Sequence, residues 1–460
     1  MSLPTIAAIA TASGEAGVAV VRISGPEALP VARRVAVALR RGAPPEPGTF
    51  RFSRFVDPRS GEVFDEGVVL VFQAPRSYTG EEVVELQGHG GRTPSRRLLD
   101  AVLAAGARPA GPGEFTRRAF LNGKMDLTQA EAVADLIASR TVRAARAARA
   151  QLDGVLGRRL DALYEDAADL CADLEAWLDL EEGEVDAPSF GSISGRIGLL
   201  GDALAREIAS AREGRLLREG ALVVIGGAPN VGKSSLLNAL LGVSRAIVSD
   251  EPGTTRDVVE ESLSLEGVPL RIADTAGLRE APGAVEREGV SRARDWISRA
   301  DLRLHLLDAS GAPFAEQLAG MDGVLPRDTT LLVLNKCDLA GKNGAPLWEP
   351  PEGWTSCRIS ALTGEGLDAL RRAMADLLRV HGGGEDADVA VAARHRDELE
   401  VARAHAMRAR SHLGGPDGAV DCVLAAHELR QSAEALGRIT GRVFSEELLD
   451  RVFSRFCVGK

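Results

Sequence analysis

The pattern of apolar positions changes character twice along the chain. Between residues 5 and 122 the apolar runs are short and broken by glycine and proline. Thr5–Ala10, Val18–Ile23, Phe50–Val56, Val63–Phe72 and Glu82–Gln87 predict strands, and Pro30–Arg41 and Ser95–Ala105 predict helices. Polar turn stretches separate them: ATASGEAG, RGAPPEPG, APRSYTG and GHGGRTP. From Met125 to about Arg218 the β-like runs stop, and Ala, Leu, Arg and Glu recur at helical spacing. Asp186, Pro188 and Gly191 break this region into at least two long helices. Strand-like runs then alternate with helical ones: ALVVI, PLRIAD, LRLHLLDAS, TLLVLNK and the stretch around Cys357–Ser360. That alternation predicts a doubly wound parallel sheet. HGGGEDAD (381–388) reads as a linker, and residues 390–457 return to helix.

The expected organisation is multidomain, combining α+β, all-α and α/β parts. Residues 1–122 form an N-terminal α+β domain, and 123–218 the first part of a helical domain. Residues 219–380 form an α/β domain, and 381–460 the second helical part. Helical segments on both sides of an α/β unit imply that the unit is inserted, which is tolerated because domain termini often lie close together.

Composition adds limits. No apolar run is long enough to span a membrane, and no basic region precedes the N-terminal apolar stretch, so the expectation is a cytoplasmic protein. The cysteines, Cys171, Cys337, Cys357, Cys422 and Cys457, form no C-x-x-C pair, which argues against a disulfide framework or zinc cluster. A formal net charge of −11 excludes a generally basic nucleic-acid binder. Any RNA contact needs a local patch. Arg140, Arg143, Arg146 and Arg149 offer one, winding across a helix face with a drift of about 60° per three-residue step. A solvated face paired with local carboxylates is the plainer reading of that ladder.

Chemistry concentrates in GGAPNVGKSS, Gly226 to Ser235, which follows the ALVVI run and precedes a leucine-rich helix. Strand, glycine-rich turn and helix give Gly-x-x-x-x-Gly-Lys-Ser its meaning as a phosphate-binding loop. Gly227 and Gly232 let backbone N–H groups of Asn230, Val231, Gly232 and Ser235 turn toward phosphate oxygens. Lys233 reaches the β- and γ-phosphates, and Ser234 binds magnesium. Downstream, Asp274-Thr275-Ala276-Gly277 closes a strand where an aspartate holds magnesium through water. Asn335-Lys336-Cys337-Asp338 closes another. The Asp338 carboxylate accepts the paired N–H donors of guanine, which adenine lacks. Ser360 and Ala361 support the base from the next loop. Thr255, with Thr254 beside it in GTTRD, is the expected second magnesium ligand. These spacings together predict a GTPase.

Two positions narrow the mechanism. Leu278 occupies the place where small GTPases carry a water-orienting glutamine, so another group must serve. Glu286, in REAPGAVERE, is the candidate, and an exposed helix-start glutamate is its plainer reading. Asn230 can coordinate a monovalent cation that supplies the positive charge an arginine finger gives elsewhere.

The order of motifs resembles the bacterial tRNA-modification GTPases of the MnmE (TrmE) family. The resemblance runs through VVRISG (20–25), SYTGEEVVELQGHGG (77–91), PGEFTRRAFLNGKMDLTQAEAVADLI (112–137), LREG, GTTRD, DTAGLRE and FCVGK (456–460). It implies an N-terminal domain that binds 5-formyltetrahydrofolate or a related folate and forms a homodimer. It also implies a flavin- and NADH-dependent partner of the MnmG/GidA type, and tRNA as substrate, modified at C5 of the wobble uridine. GTP hydrolysis in the family is potassium-dependent. Matching motifs put folate contacts on Arg22, Glu85, Lys124 and Lys460, and magnesium on Ser234 and Thr255. They put potassium on Asn230, on the Ser249 and Glu251 carbonyls and on Thr254, and catalytic roles on Glu286 and Cys457. A buried cysteine packing the last helix is the plainer reading of Cys457. Departures from the family pattern are ASGEAG in the first loop, SDEP before GTTRD, and Ala228 in the phosphate loop. The rival readings are a ribosome-assembly GTPase, against which the folate-like stretches argue, and a non-catalytic GTP-dependent docking switch.

Overall fold

The computed structural model describes residues 3–40, 46, 49–178, 190–243, 261–274, 299–318, 325–340, 349, 352–379, 392–414 and 421–460. The chain forms two compact units, Met1–Ala134 with Leu152–Ser194 and Arg408–Lys460, and Asp135–Gln151 with Gly195–Met407.

The first unit is built on a six-stranded sheet. Its strands are β1 (Ile6–Ile9), β2 (Val18–Ser24), β3 (Phe50–Val56), β4 (Val63–Phe72), β5 (Val83–His89) and the short β6 (Arg108–Pro109). The order is β3-β4-β5-β2-β1-β6, antiparallel except for the β1–β6 pair. Strand periodicity sorts the side chains onto two faces. On one face Val21, Ile23, Val69, Val84 and Leu86 pack under α1 (Ala28–Val35) and α2 (Arg92–Ala104) in a continuous apolar core. On the other, Ile6 and Ala8 pack with Phe115 of α3 (Glu114–Leu121). Arg22 and Glu85 are register partners across β2 and β5 and belong to this second face.

The helices of this unit include α4 (Leu127–Ala138), and then, after α5 (Val142–Leu152), α6 (Val155–Leu178). The second unit takes most of α7 (Phe190–Glu219) and a second six-stranded sheet: β7 (Ala221–Gly227), β8 (Glu261–Leu265), β9 (Val268–Asp274), β10 (Leu302–Asp308), β11 (Thr330–Asn335) and β12 (Ser356–Arg358). The order is β12-β11-β10-β7-β9-β8, parallel except for the β8–β9 hairpin. Among its described helices are α8 (Lys233–Val243), the short α9 (Phe314–Gln317) and α10 (Leu367–Leu378). Near-continuous burial along β7, β10 and β11 is what strands covered on both faces require. With β7 central, its carboxyl end opens where a doubly wound sheet binds its ligand.

Among the described residues, three helices follow: α11 (Ala393–His412), α12 (Cys422–Thr440) and α13 (Glu446–Phe453). In the first unit α12 packs along α6, and Leu449, Val452, Phe453 and Phe456 join Leu127 and Ala130 in one cluster. Asp421 and Ser445 cap α12 and α13, their side chains accepting from the N–H groups of Leu424 and Leu448. Among the described residues no helix is long and apolar enough to cross a membrane.

Candidate functional site

The nucleotide loop leaves β7 and enters α8, as its sequence requires. Gly227 sits at φ +139°, and a Cβ there would stand 2.6 Å from the Leu306 carbonyl oxygen of the neighbouring strand. Gly232 sits at φ +98°, and a Cβ there would stand 2.2 Å from Asn335 Nδ2. Both positions therefore demand glycine twice, by conformation and by space. Asn230 takes a left-handed φ of +64° at the exposed crest of the loop. Such a position suits the short polar side chain of asparagine. Val231 is buried in the core of the sheet and anchors the crest. Lys233 is 9% exposed and donates to the carbonyls of Gly227 at 3.2 Å and Ala228 at 2.8 Å, so its ammonium lies inside the loop's curl. Ser234 and Ser235 are exposed at the start of α8.

Asn335 ties this loop to the loop that follows β12. Its amide nitrogen donates to the Val231 carbonyl at 2.8 Å, and its amide oxygen accepts from the Ala361 N–H at 3.0 Å. One buried side chain thus fixes two of the predicted segments against each other. Lys336 follows at φ +64° and pairs with Asp308 at 2.6 Å. Burial alone would raise the Asp308 carboxyl, but its hydrogen bonds from Lys336 and Ser310 outweigh this and hold it below the usual range. Ser360 is fully buried, and its hydroxyl accepts from the Thr363 N–H at 3.2 Å, closing the turn that presents Ala361. Asp338 is partly exposed just beyond β11, at the same edge of the sheet. Asp274 closes β9, and its side chain lies outside the described residues. Ser249, Glu251, Thr254, Thr255, Thr275, Ala276, Gly277, Leu278 and Glu286 also lie outside them.

Sequence reasoning missed His305 and Asp308. His305 lies on β10 in register with Gly226, is 8% exposed, and its Nδ1 would be 3.6 Å from a Cβ at Gly226. Burial, then the nearby Lys233 charge, pushes its pKa down. A polar residue inside an otherwise apolar central strand was the available signal.

A second constellation lies on the face of the first sheet that packs against α3. Arg22 Nε donates to Glu85 Oε1 at 2.9 Å, and both side chains are 15% exposed. The guanidinium lies 5.3 Å from the centre of the Tyr78 ring and 5.7 Å from that of Phe115. Its Nη1 is buried with no hydrogen-bond partner. Residues 457–460 come to the same place. The Phe115 N–H donates to the Lys460 carbonyl at 3.2 Å, the Gly113 N–H to the Cys457 carbonyl at 3.3 Å, and Pro112 bridges Val458. Gly459 sits at φ +106°, with the Ile9 carbonyl oxygen 2.3 Å from where a Cβ would be. Burial, then the Arg22 charge, lowers the pKa of the Lys460 amine against a smaller opposing pull from Glu85.

The structure therefore gathers Arg22, Glu85 and Lys460, which are remote in sequence. Lys124 does something else: its ammonium donates to the Pro75 carbonyl at 3.0 Å, and its stem packs against Gly80. Cys457 is exposed. Sequence reasoning also missed Arg118, which is 1% exposed. Its guanidinium bonds Glu81 at 3.0 and 3.2 Å, Glu114 at 2.9 Å and the Pro4 carbonyl at 2.7 Å, fixing the Ser77–Glu82 turn beside Arg22. The helical spacing of Phe115, Arg118 and Ala119 was the signal that it points inward, whereas Arg117 pairs with Glu446 and Asp450 nearer the surface.

Two family models match: "MnmE helical domain" over residues 127–457 and "GTP-binding protein TrmE N-terminus" over 5–124. The tRNA modification GTPase MnmE of Ralstonia nicotianae is 46% identical over 99% of this chain and 96% of its own length. The protein of the same name from Xanthomonas campestris pv. campestris is 44% identical over 99% of both chains. Among solved structures, the G domain of the T. maritima FeoB iron transporter is 25% identical, over 34% of this chain and 98% of that one, with a TM-score of 0.25. Full-length identity, two adjoining family models and a formed phosphate loop agree that this GTPase belongs to the MnmE family of tRNA modification GTPases.

Proposed function

We propose that this chain is a potassium-stimulated GTPase that modifies the wobble uridine of tRNA at C5. It works with a flavin- and NADH-dependent partner of the MnmG/GidA type and installs a carboxymethylaminomethyl or aminomethyl group. It acts in the cytoplasm as a homodimer. Reduced folate supplies the one-carbon unit when bound.

The single observation that carries the folate part is the buried Arg22 Nη1 without a partner, beside Glu85 and the Lys460 amine. A buried guanidinium N–H left unpaired is costly, and an anionic ligand oxygen satisfies it. The donor set fits folate: cations for its carboxylates, and a carboxylate, Glu85, for the N–H edge of its pterin. Lys124 would hold the outer part of the ligand after giving up the Pro75 carbonyl. Cys457 is exposed, its carbonyl held by the Gly113 N–H, and its thiol would serve the modification chemistry.

On the nucleotide side, Lys233 exchanges its carbonyl partners for β- and γ-phosphate oxygens when GTP enters. Ser234 and Thr255 would hold magnesium. Asn230, with Thr254 and the carbonyls of Ser249 and Glu251, would hold potassium, whose charge offsets that developing between the β- and γ-phosphates. Glu286 would orient the attacking water through a second water. Asp338 and the Ala361 N–H would select guanine.

Nucleoside analysis of tRNA from a strain lacking the chain is the direct test. Loss of C5-modified wobble uridines is expected, and an unchanged nucleoside profile overturns the reading. Equal GTP turnover in potassium and sodium would remove the potassium role alone.

A further inference from the structure

Within the first unit, a cleft of about 380 Å³ opens between the α3–α4 turn and the α12–α13 turn. That is at the lower end of the range for small-ligand sites, roughly 300–1,000 Å³. None of its residues belongs to the nucleotide or Arg22 constellations. Phe120 and Phe444 form one wall, edge to face at 5.4 Å between centroids, and Phe444 remains 46% exposed. Leu121, 43% exposed, extends the apolar surface. Thr440 also lines the cleft, is 5% exposed, and its buried hydroxyl has no hydrogen-bond partner. At the rim the Arg442 guanidinium lies 4.5 Å from the centre of the Tyr164 ring and pairs with Asp161 at 3.0 Å and Glu165 at 2.6 Å. Gly441 keeps the cleft open at φ +84°, since a Cβ there would stand 2.7 Å from the Phe120 ring.

An exposed aromatic ring beside a buried hydroxyl that can both donate and accept suits a flat ring with polar edges. Unstacked bases of RNA loops are recognised in this way, by stacking on aromatic side chains and by hydrogen bonds to their edges. The charge balance points to the base and away from the backbone. Asp126 and Asp161 line the cleft with a single guanidinium, that of Arg442, which Asp161 and Glu165 already pair, so the cleft does not attract phosphate. We propose that this cleft receives an unstacked nucleobase of the tRNA, stacked on Phe444 with its edge bonded to Thr440. The proposal rests on tRNA being the substrate.

The test uses the full chain, an unmodified tRNA transcript and a salt titration. Stacking on an aromatic residue is worth about 1–3 kcal/mol per base, so Phe444→Ala is expected to weaken tRNA binding roughly 5- to 150-fold. Because no phosphate contact is lost, the slope of log affinity against log salt stays unchanged. Phe444→Trp restores binding, Thr440→Val weakens it several-fold, and GTP hydrolysis without tRNA is unaffected. Wild-type affinity in both Phe444→Ala and Thr440→Val overturns the proposal. So does a loss that Phe444→Trp does not restore, or a loss confined to binding a protein partner. Absence of tRNA binding by the wild-type chain would instead bring down the tRNA reading itself.

Discussion

Single side chains carry the nucleotide site, and Asn335 is the clearest case. Removing its amide leaves the Val231 carbonyl and the Ala361 N–H without their partner. Unsatisfied buried groups cost about 1–3 kcal/mol each. Asn335→Ala is therefore expected to weaken GDP affinity at least about tenfold, read by fluorescent-nucleotide titration, and an unchanged affinity would contradict the bridging role. His305 sets a pH limit with a definite sign. Its folded-state pKa lies below the unfolded value of about 6.5, so the unfolded chain binds the proton first. The stability tied to neutral His305 is complete above that value and declines as pH falls below it, until the folded pKa is reached. His305→Leu should lose less thermal stability than wild type between pH 7.5 and 5.5. Thiol reactivity separates the cysteines as well. Burial, then the Glu175 carboxylate, pushes the Cys171 thiol up to about 11, whereas Cys457 is exposed. Mass spectrometry after brief iodoacetamide treatment should find Cys457 modified before Cys171.

Elements show where patterning was legible and where it fell short. The phosphate loop could be read because a fixed chemistry forces a fixed local spacing, and Gly227, Gly232 and Lys233 have no freedom to drift. The arginine ladder could not, because a face of α5 is defined by what packs on it. Thr141 donates to the Gly267 carbonyl at 2.6 Å, and Arg143 bonds Glu213 and the Glu266 carbonyl, so the start of α5 grips the β8–β9 turn. Gly267 leaves no room for a side chain, with Arg143 Cβ 2.8 Å from its would-be Cβ. Arg143 is thus a structural clamp, while Arg146 is exposed. Arg143→Ala should destabilise the second unit by about 1–3 kcal/mol in urea titration. Arg146→Ala should stay within about 0.5 kcal/mol, as surface substitutions usually do. Equal effects would refute the clamp.

At the scale of the molecule, strand periodicity announced both sheets, but juxtaposition across the sequence was silent. Arg22 and Glu85 share a face through the register of β2 and β5, which no local pattern encodes. Lys460 reaches them only because Pro112, Gly113 and Phe115 bind the FCVGK backbone. The same backbone contacts join the last residues to the core around Phe453 and Phe456. Deleting Cys457–Lys460 is therefore expected to abolish folate binding, measured calorimetrically, and to lower the melting temperature of the first unit. It should leave guanine-nucleotide affinity within about twofold. Retained folate binding would dissociate these residues from the Arg22 constellation.

The meeting of Gly113 and Phe115 with Cys457 and Lys460 also fixes an order of events during synthesis. The β1–β6 sheet leaves the ribosome long before residues 456–460 are made. At about 5–20 residues per second that interval lasts on the order of tens of seconds. Throughout it, the Gly113 and Phe115 N–H groups lack their final acceptors, while the nucleotide unit is translated in between. The newborn N-terminal sheet is thus a waiting client, exposed to chaperones and to wrong partners until translation reaches the sequence that covers it.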